Sequence, residues 1–372
     1  MLIGVPKEIV NHEYRVGLTP SSVRELIHQG HKVLVETKAG AGIGLDDADY
    51  KSAGATIARN AAKIFAAADL IVKVKEPQPD ECRMLRQQQI LYTYLHLASD
   101  PAQAGGLIRS GCSAIAYETV TNARGGLPLL APMSEVAGRM SVQIGAHYLE
   151  KAQGGAGILI GGVPGVKAAN VVVIGGGIAG THAVRIALGM EATVTVIDKN
   201  PDRLRALDEL FGAGLNTIYS TVDSIEQYVV NADLVIGAVL VAGATAPKLV
   251  TRKMIKRMRP GSVVIDIAID QGGCFETSRA TTHANPVYVV DGVTHYCVAN
   301  MPGSVARTST FALNNATLPF AVALANKGIR QACVDDPHLM NGLNIHAGQI
   351  TYQAVANALK LRYTPAKKAL GI

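Results

Sequence analysis

At 372 residues the chain exceeds one ordinary core, and at roughly 150 residues per domain two is the simplest division. Its 35 basic and 29 acidic residues leave a formal net charge of +6, with no Trp and only 5% aromatic residues, a poor endowment for nucleic-acid binding. Hydrophobic content of 48% against 17% charged residues excludes a disordered chain.

The opening MLIGVPKE is a short apolar strand, Ile3–Val5, running into a charged turn, so no signal peptide is expected. Thr19-Pro20 should start a helix and Gly30 stop it, with Val23, Leu26 and Ile27 on one face. Lys32–Glu36, Leu70–Val74, Ile90–Leu95 and Ala114–Glu118 follow as strand candidates. Strand and helix alternate, the pattern of α/β folds with parallel sheets.

The character changes near Pro128. Ser134 reads as the N-cap of a long helix running to about Ala152, with Val136, Met140, Ile144 and Leu149 as its apolar stripe. A Gly-rich stretch, Gly154 to Gly165, leads into a second strand series: Asn170–Ile174, Thr193–Ile197, Asp233–Ala238, Ser262–Ile267 and Val287–Val290. Such near-continuous Val/Ile runs belong to strands covered on both faces. The basic run Arg252 to Arg259 alternates with Met and Ile and reads as one amphipathic helix with a solvated face, so no nucleic-acid partner is expected. After Pro302-Gly303 comes a helical segment from Thr308 to about Lys327, with Pro319 as a candidate kink. The last 45 residues or so look helical, without further strands, and should pack back on the first domain. The two long helices are expected to cross between the domains.

No apolar run is long enough to span a membrane; the best candidates are broken by Pro164, Lys167 and Pro247, so no membrane partner is expected. The five cysteines, 82, 112, 274, 297 and 333, form no CxxC pair and suit reduced thiols in a cytoplasmic protein. The remaining histidines, among them His12, His147, His283 and His295, lack metal-ligand spacing, and no metal is expected.

Residues 171–180 read VVVIGGGIAG. A hydrophobic strand runs into Gly175, Gly177 and Gly180 with the G-x-G-x-x-G spacing, then into a helical pattern from Thr181 to Leu188. The first glycine permits the tight turn, the second lets backbone approach a pyrophosphate, and the third lets helix and strand pack closely. Asp198 ends the next strand, VTVID, about 18 residues on, where a carboxylate can bind both adenosine ribose hydroxyls and repel a 2′-phosphate. This argues for NAD over NADP, although Lys199 and Arg203 keep NADP in view. Further cofactor contacts are expected where later strands end, at Ser220, Val239-Leu240, Ile267 to Asp270 and Val298 to Met301.

With these residues in view, the chain resembles the family shared by the alanine dehydrogenases and the nucleotide-binding part of proton-translocating transhydrogenase. The opening GVPKEIVNHEYRVGLTP carries the family likeness. VKVKEP around Lys75, YLHLA around His96 and DGVTHYCVANMPGSVARTST at 291–310 look like its alanine-dehydrogenase branch. The likeness covers essentially the whole chain; it departs at Ala306, where a proline is expected.

The resemblance implies reversible NAD-dependent oxidative deamination of L-alanine to pyruvate and ammonium. It implies an α/β fold of two domains joined by long helices. One is a Rossmann-type doubly wound parallel sheet binding NAD at 129–306; the other is a discontinuous α/β substrate domain built from 1–128 and 307–372. It implies that Arg15 and Lys75 hold the substrate carboxylate and carbonyl oxygen, that His96 is the general acid/base and Asp270 the second catalytic group, and that Asn300 lines the substrate region. Around NAD it implies Ser134, Gly175, Gly177, Ile178, Ala179, Gly180, Asp198, Arg203, Ser220, Val239, Leu240, Ile267, Asp270, Arg279, Val298 and Met301. A homohexamer is implied as well.

Plainer readings stand beside these. Arg15 could be a surface residue next to Glu13, Lys75 a solvated charge as ordinary as Lys73 beside it, His96 a structural residue, and Asp266 a rival to Asp270. The rival functions are a transhydrogenase subunit, a saccharopine-type amino-acid dehydrogenase, and a non-catalytic NAD-responsive binding protein.

Overall fold

Leu70–Val72, Ile90–Thr93 and Ser113–Ala116 are buried at every residue, as strands are when helices cover both faces of a parallel sheet. The structure is a computed structural model and describes residues 1–239 and 246–372. It divides into two compact units, Met1–Met133 with Val305–Ile372, and Ser134–Ser304.

The strands are, in chain order, β1 (Leu2–Val5), β2 (Lys32–Glu36), β3 (Thr56–Ala58), β4 (Leu70–Val72), β5 (Ile90–Thr93) and β6 (Ser113–Ala116). The second unit holds β7 (Asn170–Ile174), β8 (Thr193–Asp198), β9 (Leu215–Tyr219), β10 (Leu234–Gly237), β11 (Val263–Asp266), β12 (Val287–Val290) and β13 (Val293–Tyr296). The tail adds β14 (Leu343–His346) and β15 (Gln349–Ile350).

In the first unit the sheet order is β15-β14-β6-β5-β4-β1-β2-β3. β1 to β6 pair in parallel, whereas β14 lies antiparallel to β6 and β15 antiparallel to β14. Its core gathers Ile64, Phe65, Ile71, Leu91, Leu95, Leu107 and Ile345. The tail is therefore not purely helical, contrary to the sequence reading. LNIH hides its strand character behind two polar residues, and the fold satisfies buried Asn344 through Thr119 Oγ1 at 2.7 Å and the Gly342 carbonyl at 2.9 Å.

The second unit orders its strands β12-β13-β11-β10-β7-β8-β9, all parallel except β12 against β13. Val172, Ile174, Ile197, Val235, Val264 and Phe275 lie in its core. β3 escaped the sequence reading, and β9 and β13 were anticipated only by their ends, at Ser220 and Val298, without a range; they are short, or interrupted by Asn, Thr and His that break the apolar run. The basic run forms the helix Arg252–Arg257, which buries Met254 and Ile255.

Three expected helix features need correcting. The helix Ala131–Tyr148 starts before Ser134, so Ser134 is not its N-cap; a turn through Leu127 leads in, and Pro132 sits in the first turn, where its missing N–H is tolerated. The same helix stops at Tyr148 rather than near Ala152. The last long helix, Ala306–Asp335, runs through Pro319 and breaks at Gly328, because proline keeps a helical φ while only glycine readily takes φ 69°. Ala306 is the first residue of that helix, a position that suits proline equally, so the departure from the family pattern costs little.

Candidate functional site

In the first unit the chain lays β2 and β3 on one side of β1, then returns to lay β4, β5 and β6 on the other. Loops leave such a switch point in opposite directions, opening a crevice at the carboxyl ends of the strands. Arg15 follows β1, Lys75 follows β4 and His96 follows β5, three strands adjacent in the sheet. All three belong to this unit.

Arg15 is not a surface residue. It is 2% exposed, and its fork grips Glu13 side-on, with Nε to Oε1 at 2.7 Å and Nη2 to Oε2 at 2.6 Å. Nη1 lies 3.1 Å from the Met133 sulfur. Burial alone would lower the Arg15 pKa, but the bonds to Glu13 hold it above its ordinary value. A buried pair of this kind fixes a cation in place, and removing one partner costs about 3–5 kcal/mol.

Lys73 and Lys75 turn out unlike each other. Lys73 is fully buried, with Nζ donating to Glu8 at 3.0 Å and Glu81 at 2.8 Å. The comparison with an ordinary solvated lysine therefore fails for Lys73. Burial opposes its charge, and the two carboxylates outweigh burial. Burial raises the Glu8 pKa despite Lys73, as expected where two acids share one ammonium. The other Glu8 oxygen accepts the Val74 N–H at 2.6 Å and the Lys75 N–H at 3.3 Å. Lys75, mostly covered, holds Nζ 3.4 Å from Glu76, close enough for charge pairing but outside hydrogen-bond geometry.

His96 is exposed and left-handed, with φ 51° and ψ 35°. A non-glycine residue held there costs roughly 1–3 kcal/mol, which its surroundings must offset. Its N–H donates to Glu118 Oε1 at 2.6 Å, and its carbonyl accepts from Ser99 Oγ at 2.9 Å. The imidazole stacks on Tyr94, ring centres 5.9 Å apart and planes 9° off parallel. Glu8, Glu13 and Glu118 were not singled out in the sequence. The one signal was an acid just past the end of an apolar strand, as at Glu118 after β6.

In the second unit the switch falls between β7 and β10. Gly175, just past β7, has φ 99°, and a Cβ there would lie 2.7 Å from the Ala238 carbonyl oxygen. A Cβ on Gly180 would lie 1.8 Å from the Gly175 carbonyl oxygen, so helix and strand pack closer than any side chain allows. Gly177 differs: among the described residues, apart from its chain neighbours, no atom lies within 4 Å of its would-be Cβ. It caps the helix Ile178–Gly189 without a side-chain hydrogen bond, so open space meets the positive end of the helix. That opening fits a dinucleotide pyrophosphate.

Asp198 closes β8. Its Oδ2 accepts the Gly176 N–H at 2.6 Å and its Oδ1 the Asn200 N–H at 2.8 Å, and each oxygen keeps a second lone pair for a ribose hydroxyl. Arg203 turns inward to brace the loop, Nε donating to the Gly176 carbonyl at 2.5 Å and Nη2 to Thr181 Oγ1. Those bonds weaken the case for Arg203 as a 2′-phosphate receptor.

Ser220 follows β9 and Val239 follows β10, while Leu240 lies outside the described residues. Ile267 and Asp270 occupy the turn after β11, with Asp270 exposed. Asp266, its rival, is fully buried and accepts from Ala268 N, Cys274 N and Ser278 Oγ; burial raises its pKa. It organises the turn that carries Asp270. Beyond β13, Val298 and Met301 are buried and Asn300 is left-handed at φ 67°, its carbonyl 3.0 Å from His283 Nε2. Arg279 lies 4.0 Å over the Tyr288 ring. Ile178 is exposed on the first turn of its helix and Ala179 half-buried beside it, while Ser134 is half-buried within the helix Ala131–Tyr148. Among the described residues no cluster of three or more His, Cys, Asp or Glu could hold a metal.

Residues 4–137 match the N-terminal domain of the alanine dehydrogenase/PNT family and residues 141–353 its C-terminal domain. The chain belongs to this family. It is 60% identical to an alanine dehydrogenase of Halomonas elongata and 54% to one of Methanococcus maripaludis, each over the full length of both chains. Among solved structures, an L-alanine dehydrogenase superposes with a TM-score of 0.94 at 50% identity, covering 97% of this chain and 99% of that one. A transhydrogenase from Sinorhizobium meliloti gives 0.81 at 25% identity, covering 95% and 100%.

Proposed function

We propose that the protein is an NAD-dependent L-alanine dehydrogenase, converting L-alanine, NAD and water to pyruvate, ammonium, NADH and a proton, reversibly. The observation that carries this reading is full-length identity of 54–60% to alanine dehydrogenases, against 25% to a transhydrogenase. The open Gly177, the helix start without a side-chain cap and the Asp198 carboxylate suit NAD.

When bound, NAD accepts the hydride from the substrate Cα. The chain's own residues handle charge and protons. Arg15 and Lys75, cations on neighbouring loops, bind the carboxylate and carbonyl oxygen, and Asn300 lines the substrate region. His96, exposed on its turn, takes the amine proton and returns it as water adds and ammonia leaves, since imidazole carries protons both ways near neutral pH. Asp270 orients the attacking water or stabilises the cationic imine. Ser134, Ile178, Ala179, Ser220, Val239, Leu240, Ile267, Arg279, Val298 and Met301 complete the NAD contacts, with Arg203 acting through the glycine loop. The inherited pattern further supports a cytoplasmic homohexamer. No helix of the described residues is long and apolar enough to cross a membrane.

The test is a screen of amino acids against NAD and NADP, followed by nicotinamide absorbance. L-alanine with NAD should stand out; a bulkier amino acid as preferred substrate, or NADH binding without turnover, would overturn the reading. Light scattering should give a mass six times the 39.0 kDa chain.

A further inference from the structure

We propose that Glu118 is the positioning residue of His96: its carboxylate holds the histidine backbone left-handed, and so aims the imidazole. The proposal rests on the reading of His96 as the acid–base group.

The parallel register pairs Thr93 of β5 with Ala116 of β6, so the residues two beyond each strand end come side by side. This brings Glu118 against the peptides of Leu95 and His96. Oε1 accepts the His96 N–H at 2.6 Å and the Leu95 N–H at 3.2 Å, while Oε2 also lies 3.2 Å from the Leu95 nitrogen. On the other side of His96, the carbonyl accepts from Ser99 N at 3.2 Å and Ser99 Oγ at 2.9 Å. The peptides flanking His96 are thus tied down on both sides. Its ring rests on Tyr94, a side chain fixed by its own hydroxyl to the Leu129 carbonyl at 2.5 Å. Among the described residues nothing besides that carboxylate bonds the His96 N–H, so without it φ 51° can relax towards a right-handed or extended backbone, which would swing the ring away. Displacement of about 1 Å at a reacting group can cost about a hundredfold in rate.

The test measures kcat for alanine and NADH dissociation in Glu118→Ala, Glu118→Gln, His96→Ala and the double variant His96→Ala/Glu118→Ala. Glu118→Ala should lower kcat by about ten- to a hundredfold with NADH affinity within about twofold of wild type. Glu118→Gln should recover most of that loss, since its amide oxygen can still accept the His96 N–H. In the His96→Ala background, Glu118→Ala should change little further, because the group it aims is gone. Wild-type kcat in a folded Glu118→Ala, or losses that multiply in the double variant, would overturn the positioning role. Near-wild-type turnover by His96→Ala alone would remove the acid–base reading and, with it, the positioning role. Should Glu118→Ala fail to fold, Glu118→Asp carries the same cycle: it keeps the charge but falls short by one methylene, and wild-type kcat there would overturn the proposal.

Discussion

Adding one methyl group separates the duties of two glycines at the nucleotide loop. At Gly177 the new Cβ meets no atom of the described residues beyond its chain neighbours and φ is −65°, so the fold should not notice it. It would, however, occupy the space where phosphate must approach backbone. Gly177→Ala should therefore keep the wild-type melting temperature while weakening NADH binding by about tenfold or more, a free-energy change of about 1.4 kcal/mol. At Gly180 the Cβ would collide with a backbone oxygen that cannot move alone, so Gly180→Ala should lose both stability and NADH binding. Calorimetry beside NADH titration checks the pair; equal melting losses would contradict it. Asp198→Ala should reduce preference for NAD over NADP, because it removes ribose hydrogen bonds and the repulsion of a 2′-phosphate together. An unchanged NAD/NADP ratio of kcat/KM would reassign that role. The glycines and Asp198 were legible in the sequence because their spacing is local. Glu118 was not: its contact with His96 exists only once β5 and β6 pair in register.

Lys73 joins three elements, since Glu8 lies beyond β1, Lys73 just past β4, and Glu81 on the helix Pro79–Met84. Lys73→Met leaves two buried carboxylates facing each other and should destabilise the protein by about 3–5 kcal/mol. Burial already raises the folded pKa of Glu8 above its unfolded value, and loss of the ammonium raises it further. An acid with a raised folded pKa penalises the fold once it ionises, so the penalty is full at neutral pH and fades as pH falls through that pKa. Urea unfolding of wild type and variant, at neutral and mildly acidic pH, should show the gap narrowing; a constant gap would exclude a charge origin. In the tail, a chain ending after Asp336 lacks β14 and β15 and leaves β6 as an open edge. Such a chain should aggregate, and a monodisperse product melting like wild type would refute this. The Val/Ile runs of β7, β10 and β11 were legible because burial on both faces leaves an unbroken apolar string. β14 was not, because Asn344 finds its partners only after the sheet assembles.

The two units differ in chain continuity. Every strand of the second lies between Asn170 and Tyr296, whereas the first takes strands from both sides of that stretch. A fragment spanning residues 131–304 should therefore fold alone and bind NADH without oxidising alanine. Fluorescence titration and circular dichroism check this, and an unfolded fragment would show that the second unit depends on the first. The all-buried β6 also has a timetable. Translation delivers β1 to β6 early and β14 only after the whole second unit and the helix Ala306–Asp335 have been made. At ordinary elongation speeds the strand that β14 will cover stays unpaired on that side for roughly 10–50 s. A ribosome-associated chaperone that shields bare sheet edges would find its longest task on this chain there.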